Sequence, residues 1–105
     1  MQFRGGMNEL MRQAARMQRK VEQAKAAVKD KELTVGAVGD KVKATVTYGR
    51  KLVKIEIDPE FLKSEGIELA LDSACAAINQ AIEEADKLME AEVDKVTGGV
   101  KIPGM

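Results

Sequence analysis

Histidine and tryptophan are absent from this chain of 105 residues, which contains one cysteine, one tyrosine, two phenylalanines and two prolines. Without histidine, neither a His-based metal site nor a His-dependent catalytic triad can form, and one cysteine excludes an intramolecular disulfide. No apolar run approaches the roughly 20 residues of a membrane helix, and the N-terminus lacks an apolar signal-peptide segment. We therefore expect a single reduced, cytoplasmic domain over residues 1–105, with no metal, no cofactor and no nucleophile and base pair for catalysis.

Charge is balanced overall but is distributed unevenly along the chain. The 17 basic and 17 acidic residues cancel. Residues 1–31 carry a net charge of +5, residues 32–57 carry +2, and residues 58–105 carry −7. Because one end is basic, the chain can bind an anionic partner despite its overall neutrality.

The N-terminal third has the periodicity of a long helix. Apolar residues recur at alternating spacings of three and four, which is a heptad seam and predicts a helix over about residues 7–29: Met7, Leu10, Ala14, Met17, Val21, Ala24 and Val28. The opposite face carries four cations: Arg12, Arg16, Arg19 and Lys20. We expect neither Glu9 nor Glu22 to lie among these cations. A solvated face and a phosphate-binding face both remain open, whereas a membrane-lying helix is disfavoured because the apolar seam is narrow.

The middle of the chain alternates apolar and polar residues three times, which predicts antiparallel strands over about residues 32–38, 41–48 and 51–57. Gly39-Asp40 and Gly49-Arg50 are expected to form two-residue type II′ turns. These turns place all apolar partners on one face: Ala37 with Val42, Val35 with Ala44, Leu33 with Val46, Val46 with Val53, Ala44 with Ile55, and Val42 with Ile57. The other face should meet water or a polar partner: Lys41, Lys43, Thr45, Thr47, Lys54 and Glu56. Both sheet edges are open, so a second copy of the chain is the simplest candidate to cover them.

The C-terminal part predicts a short turn followed by a second long helix. Asp58, Pro59 and Glu60 have the pattern of an N-cap and a first turn over residues 59–63, and a helix over about residues 67–97 follows, with a tail over residues 98–105 after the glycines. The predicted buried stripe of this helix is Leu71, Ala74, Cys75, Ile78, Ile82, Ala85, Met89, Val93 and Val96. Cys75 is therefore expected to be a small core residue. The opposite face is acidic and is expected to be solvated: Asp72, Glu83, Asp86, Glu90 and Asp94.

Three short motifs accompany this order of elements: Met7-Asn8-Glu9-Leu10-Met11-Arg12-Gln13-Ala14, Ile57-Asp58-Pro59, and the Gly98-Gly99 and Pro103-Gly104 pairs of the C-terminal end. Together, the motifs and the order of elements resemble the YbaB/EbfC family of bacterial nucleoid-associated proteins. The resemblance implies an α+β fold (α-β-β-β-α) that dimerises through its β region. It also implies a cytoplasmic, nucleoid-located homodimer whose helices grip double-stranded DNA, affecting nucleoid organisation and gene expression, with no enzymatic activity. The charge pattern supplies the candidate DNA contacts: Arg4, Arg12, Arg16, Arg19 and Lys20.

A prefoldin-like coiled-coil chaperone, or a protein-interaction module, is the alternative interpretation. Prefoldin-like subunits share the order of helix, hairpins and helix. The clustered arginines of the first helix and the C-terminal motif argue against this alternative. No membrane and no small-molecule substrate is expected as a partner.

Overall fold

The computed structural model describes the backbone of residues 2–98 and the side chains of residues 6–98. Six elements follow in order: α1 (Gln2–Val28), β1 (Glu32–Ala37), β2 (Val42–Thr47), β3 (Leu52–Ile57), α2 (Pro59–Glu65) and α3 (Ile67–Thr97). The predicted α-β-β-β-α fold is confirmed, and each strand lies within one residue of its predicted bounds. Among residues 2–98, no helix combines the length and the apolar character that a membrane span needs.

The first helix begins earlier than the sequence predicts. α1 starts at Gln2 rather than near residue 7, so it continues through Gly5 and Gly6. Each glycine costs a helix about 1 kcal/mol relative to alanine. Adding residues to an existing helix is nevertheless far easier than nucleating one, and the long segment after Gly6 supplies that helix.

The connection between the sheet and α3 is a capped helix rather than a single turn. Asp58 accepts a hydrogen bond from the Glu60 N–H at 2.9 Å, and Pro59 occupies the first turn, so the predicted N-cap is confirmed. α2 continues two residues beyond the predicted turn, to Glu65, and Gly66 caps it. α3 ends as predicted at Thr97, and its cap Gly98 adopts a left-handed φ of 64°. The tail after Gly98 lies outside the described residues.

The three strands form one antiparallel sheet in the order β1-β2-β3. The predicted register between β1 and β2 is confirmed, with Ala37 opposite Val42 and Leu33 opposite Val46. The turn type is not the predicted type II′, because Gly39 and Asp40 both have a positive φ, 64° and 65°. Two positive φ values are typical of a type I′ turn, in which aspartate is tolerated.

The second hairpin departs from the predicted register by one residue at its closed end. The loop has three residues, Tyr48-Gly49-Arg50, because the Thr47 N–H donates to the Lys51 carbonyl at 2.8 Å. Arg50, not Gly49, adopts the positive φ, 71°. A turn followed by a left-handed residue inserts a bulge into the next strand. Val46 therefore lies opposite Leu52 rather than Val53, and the predicted pairs resume at Ala44 with Ile55.

The polar face of the sheet is drier than expected. Thr45 and Thr47 are 3% and 6% exposed. The hydroxyl of Thr45 lies 2.8 Å from that of Thr34 on β1, and the Thr47 hydroxyl accepts a hydrogen bond from the Lys51 N–H at 3.0 Å. Both buried hydroxyls are thus satisfied within the sheet.

The core lies between the apolar face of the sheet and a row of small residues on α3. The buried residues of this row are Ala70, Ser73, Ala74, Ala77, Ala81 and Ala85. Ala81 and Ala85 contact Val46, and Leu33 and Val35 pack against this cluster. The predicted stripe was wrong at its N-terminal end, because Leu71 is 55% exposed and Cys75 is exposed. Alanines let the helix approach the strands closely, and the larger residues one position along are rotated away by about 100°.

Only half of the α1 seam is buried. Val21 and Val28 are 0% and 8% exposed where α1 packs against α3. From Gly6 to Arg16 every side chain is exposed. The molecule is accordingly elongated, with extents of 75 × 19 × 17 Å. We call residues 6–16, which project from the packed part of α1, the N-terminal arm.

Candidate nucleic-acid interface

The arginines of α1 lie on the side of the helix that faces away from α3. Successive helical residues are rotated by about 100°, so Arg12 and Arg19 lie about 20° apart and Arg16 lies within about 60° of both. The three residues span about 10 Å of helix axis. Arg12 and Arg16 are 71% and 55% exposed. This group, together with Lys20, forms the cationic strip of α1.

Glu9 lies within this strip, contrary to the prediction. Its carboxylate is 3.6 Å from Arg12 Nη1 and 3.4 Å from Arg16 Nη2. Residues three and seven positions apart share one face of a helix, so Glu9 reduces the local charge. Exposed ion pairs contribute about 0 to 1 kcal/mol, and a phosphate can therefore displace the carboxylate at little cost.

Arg19 and Lys20 are the uncompensated members of the strip. Within residues 6–98, neither has an ion-pair partner. Arg19 lies at a shallow surface depression whose other lining residues are Ala15, Gln18, Glu22 and Gln23. The fifth candidate, Arg4, belongs to α1 by its backbone, and its side chain lies outside the described side chains.

The fold brings a second group of cations together, which consists of Lys29, Lys31 and Arg50. The sequence pattern did not indicate this group. The β2–β3 loop docks on the end of α1, where the Gly49 N–H donates to the Lys29 carbonyl at 3.0 Å and the Tyr48 N–H donates to the Lys31 carbonyl at 2.9 Å. A Cβ at Gly49 would lie 3.1 Å from the Lys29 carbonyl oxygen, so glycine allows this close approach. Arg50 is thereby placed beside the lysines of the α1–β1 connection.

Acidic side chains of α3 neutralise part of this second group. Arg50 Nε lies 3.4 Å from a carboxylate oxygen of Asp86, and Lys31 Nζ lies 4.0 Å from Glu92. Among the described residues, no three acidic or cysteine side chains are arranged to hold a metal ion. Asp86 and Glu92 of α3 thus each pair with a cation of the second group, whereas within residues 6–98 the ion pairs of the strip on α1 all involve Glu9.

Apolar side chains remain exposed along the edge strand β3. α3 packs mainly on β1 and β2, so the edge strand β3 is left largely uncovered. Its apolar residues and those at the start of α3 are 39–56% exposed: Leu52, Val53, Ile55, Ile67, Leu69 and Leu71. We call the exposed apolar residues of β3 the apolar patch; exposed apolar side chains along an edge strand are typical of an interaction surface.

Comparison with known proteins identifies the family. Residues 3–100 match the YbaB/EbfC DNA-binding family. A nucleoid-associated protein of Alkaliphilus metalliredigens is 36% identical over 99 residues, which cover 94% of this chain and 87% of the relative. A nucleoid-associated protein of Clostridium kluyveri is 36% identical over 101 residues, which cover 96% of this chain and 89% of that relative. The fold is shared with an uncharacterized protein of Helicobacter pylori, known from a crystal structure, at 20% identity and a TM-score of 0.59. The matched region covers 71% of this chain and 87% of the Helicobacter pylori chain. The chain belongs to the YbaB/EbfC DNA-binding family.

Proposed function

We propose that the protein is a nucleoid-associated homodimer that binds double-stranded DNA through phosphate contacts, with little sequence specificity. The observation that supports this most directly is the cationic strip on α1, which is exposed and faces away from α3. Arginine forks match the geometry of phosphate oxygens, and about 10 Å of helix axis can reach several phosphates of a duplex. The relatives' names supply the nucleoid as the place of action.

The apolar patch at β3 supports the homodimer. β3 is an edge strand with unpaired backbone groups, and its apolar side chains are only partly covered. A second copy of the chain would cover both the edge and the patch, since a two-fold axis brings the same surface of each protomer together. Such a dimer carries two copies of the cationic strip.

Weak sequence specificity is expected because the strip lacks groups that read bases. No aromatic residue lies between Arg12 and Lys20, so stacking on bases or wedging between them is not available there. Phosphate contacts position a protein on DNA without reading its sequence. With four cations in each protomer, a dimer would neutralise about eight phosphates, and the logarithm of the affinity should fall with the logarithm of salt at a slope of about −7.

The test replaces Arg12, Arg16 and Arg19 by Gln together. The expected result is weaker binding to all duplex sequences alike and a flatter salt slope, measured by fluorescence anisotropy at several salt concentrations. The matched control replaces three exposed lysines away from the strip and from the edge strand β3 by Gln: Lys43, Lys63 and Lys87. The control changes the net charge equally, so an equal loss in both variants, or no loss in the arginine variant, would refute the role of the strip.

A further inference from the structure

The N-terminal arm carries an apolar strip on the side opposite its arginines. Met7, Leu10 and Met11 are 63%, 66% and 68% exposed, and Ala14 continues the row. The same heptad seam is buried against α3 at Val21. The arm thus extends an existing helix–helix interface past the residues that α3 covers, and no side chain within residues 6–98 buries it.

The geometry of one helix separates the two functional faces of the arm. At about 100° per residue, Arg12, Arg16 and Arg19 point between about 130° and 170° away from the centre of the apolar strip. The residues that border the strip, Asn8 and Gln13, are uncharged. A partner on the apolar strip would therefore leave the arginines free to bind DNA.

We infer that the apolar strip pairs in antiparallel fashion with the same strip of a second copy of the chain, joining two homodimers arm to arm. A two-fold axis between Leu10 and Met11 places Met7 of each arm opposite Ala14 of the other. The large Met7 thus meets the small Ala14 at either end of the pair, and Leu10 meets Met11 at its centre, which interdigitates large and small side chains along the contact. The continuity of the seam with the α1–α3 interface favours a helix of the same kind as the occupant. The inference rests on the proposed function for its homodimer.

The size and the charge of the arm determine when pairing occurs. Two arms of eleven residues bury far less than the roughly 1,200 Å² of a stable complex, so an isolated pair is weak. Packed helices lie about 8–10 Å apart, and the outward arginines are then separated by more than the Debye length of about 8 Å. DNA bound on the outer faces neutralises them and raises the local concentration of arms, so pairing should strengthen on DNA and hold two duplexes together.

Cross-linking tests the pairing without DNA. In a Cys75→Ser background, Leu10→Cys should be joined to its mate by a short bismaleimide, whereas the control Asn8→Cys, about 160° away around the helix, should not. Light scattering should give the cross-linked Leu10→Cys protein at least twice the mass of the homodimer, because each homodimer carries two arms. Equal cross-linking of both variants, or cross-linking confined to particles of homodimer mass, would overturn the inference.

A two-duplex capture assay separates this inference from DNA binding itself. An immobilised duplex with protein bound should retain a second, labelled duplex. Leu10→Gln should reduce retention to background while duplex affinity stays within about twofold, because Leu10 points to the side of the helix opposite the arginines. If Leu10→Gln leaves retention of the second duplex unchanged, arm pairing is refuted. If the wild-type protein does not bind even a single duplex, the proposed function is refuted instead.

The other possible occupant is the C-terminal segment of the same chain, residues 99–105. Deleting this segment from the Leu10→Cys variant distinguishes the two occupants. If arms pair, the yield of cross-linked product is the same with and without the segment. Cross-linking that begins only after the deletion would show that the segment covers the strip, and the inference would then be wrong.

Discussion

Substitution of Ala81 by Leu is the most direct test of the contact between α3 and the sheet. Ala81 is 0% exposed and contacts Val46, with Leu33 and Val35 packed around them. Leucine adds three carbon atoms at a point where the helix and the strands already touch. Overpacking of this kind costs about 1–3 kcal/mol, which lowers the thermal midpoint of a domain of this size by about 4–20 °C.

The matched control for this test is Ala91→Leu in the same helix. Ala91 is exposed, and leucine and alanine are both good helix formers, so the free energy of unfolding should change by no more than about 0.5 kcal/mol. Circular dichroism melts at one protein concentration give both midpoints. If Ala81→Leu melts no lower than Ala91→Leu, the alanine row does not face the sheet, and the larger residues beginning at Leu71 do.

Two further predictions concern the α2 cap and the dimer. The hydrogen bond from the Glu60 N–H, and to a smaller extent Lys41 at 3.4 Å, lower the pKa of Asp58. A carboxylate whose pKa is lower in the folded state than in the unfolded state stabilises the fold at pH values above its unfolded pKa. This stabilisation is lost as the pH falls through the folded-state pKa. Asp58→Asn should therefore keep the cap at neutral pH, but its melting midpoint should fall less than that of the wild type below about pH 4. An equal fall in both proteins would contradict a contribution of the Asp58 charge to stability. For the homodimer, the wild-type midpoint should rise with protein concentration and Ile55→Lys should lower it, whereas a concentration-independent midpoint with monomer mass in sedimentation would exclude an obligate dimer.

The register of the sheet was predictable where local rules decide it. Alternation and a short turn fixed the β1–β2 pairs, because a slip of one residue would move Leu33 and Val35 to the opposite face. The β2–β3 loop was not predictable in the same way. Gly49 is needed for its approach to the Lys29 carbonyl, a contact between segments distant in sequence, and Arg50 rather than Gly49 adopts the left-handed conformation.

The N-terminal end of the buried face of α3 was predicted wrongly because apolar size was taken as the sign of burial. Leu71 and Cys75 are more hydrophobic than the neighbouring alanines, but a helix lying close on two strands needs small residues, here Ala70 and Ala77. Large residues then remain for the surface around β3, where a second copy of the chain can bury them.

The candidate site was only partly accessible to sequence reasoning. The position of Glu9 follows from helix arithmetic alone, since it precedes Arg12 by three residues and Arg16 by seven, and the prediction overlooked it. The second group of cations needed the fold, because Arg50 and Lys31 are brought together by the docked loop. Its neutralisation by Asp86 and Glu92 likewise depends on the packing of α3.

The docked β2–β3 loop contacts the C-terminal end of α1, so a small change in angle at this point moves the N-terminal end of the helix by a larger distance. Its two hydrogen bonds tie the connection after α1 to the sheet, and together with the packing of α1 on α3 they set the direction in which the helix leaves the body. A helix of 27 residues is about 40 Å long, and a tilt of about 10° at its base would move its tip by about 7 Å. That displacement is comparable to the width of a DNA minor groove, about 6 Å. In the proposed dimer, a change in the length of this loop would therefore change the distance between the two arms.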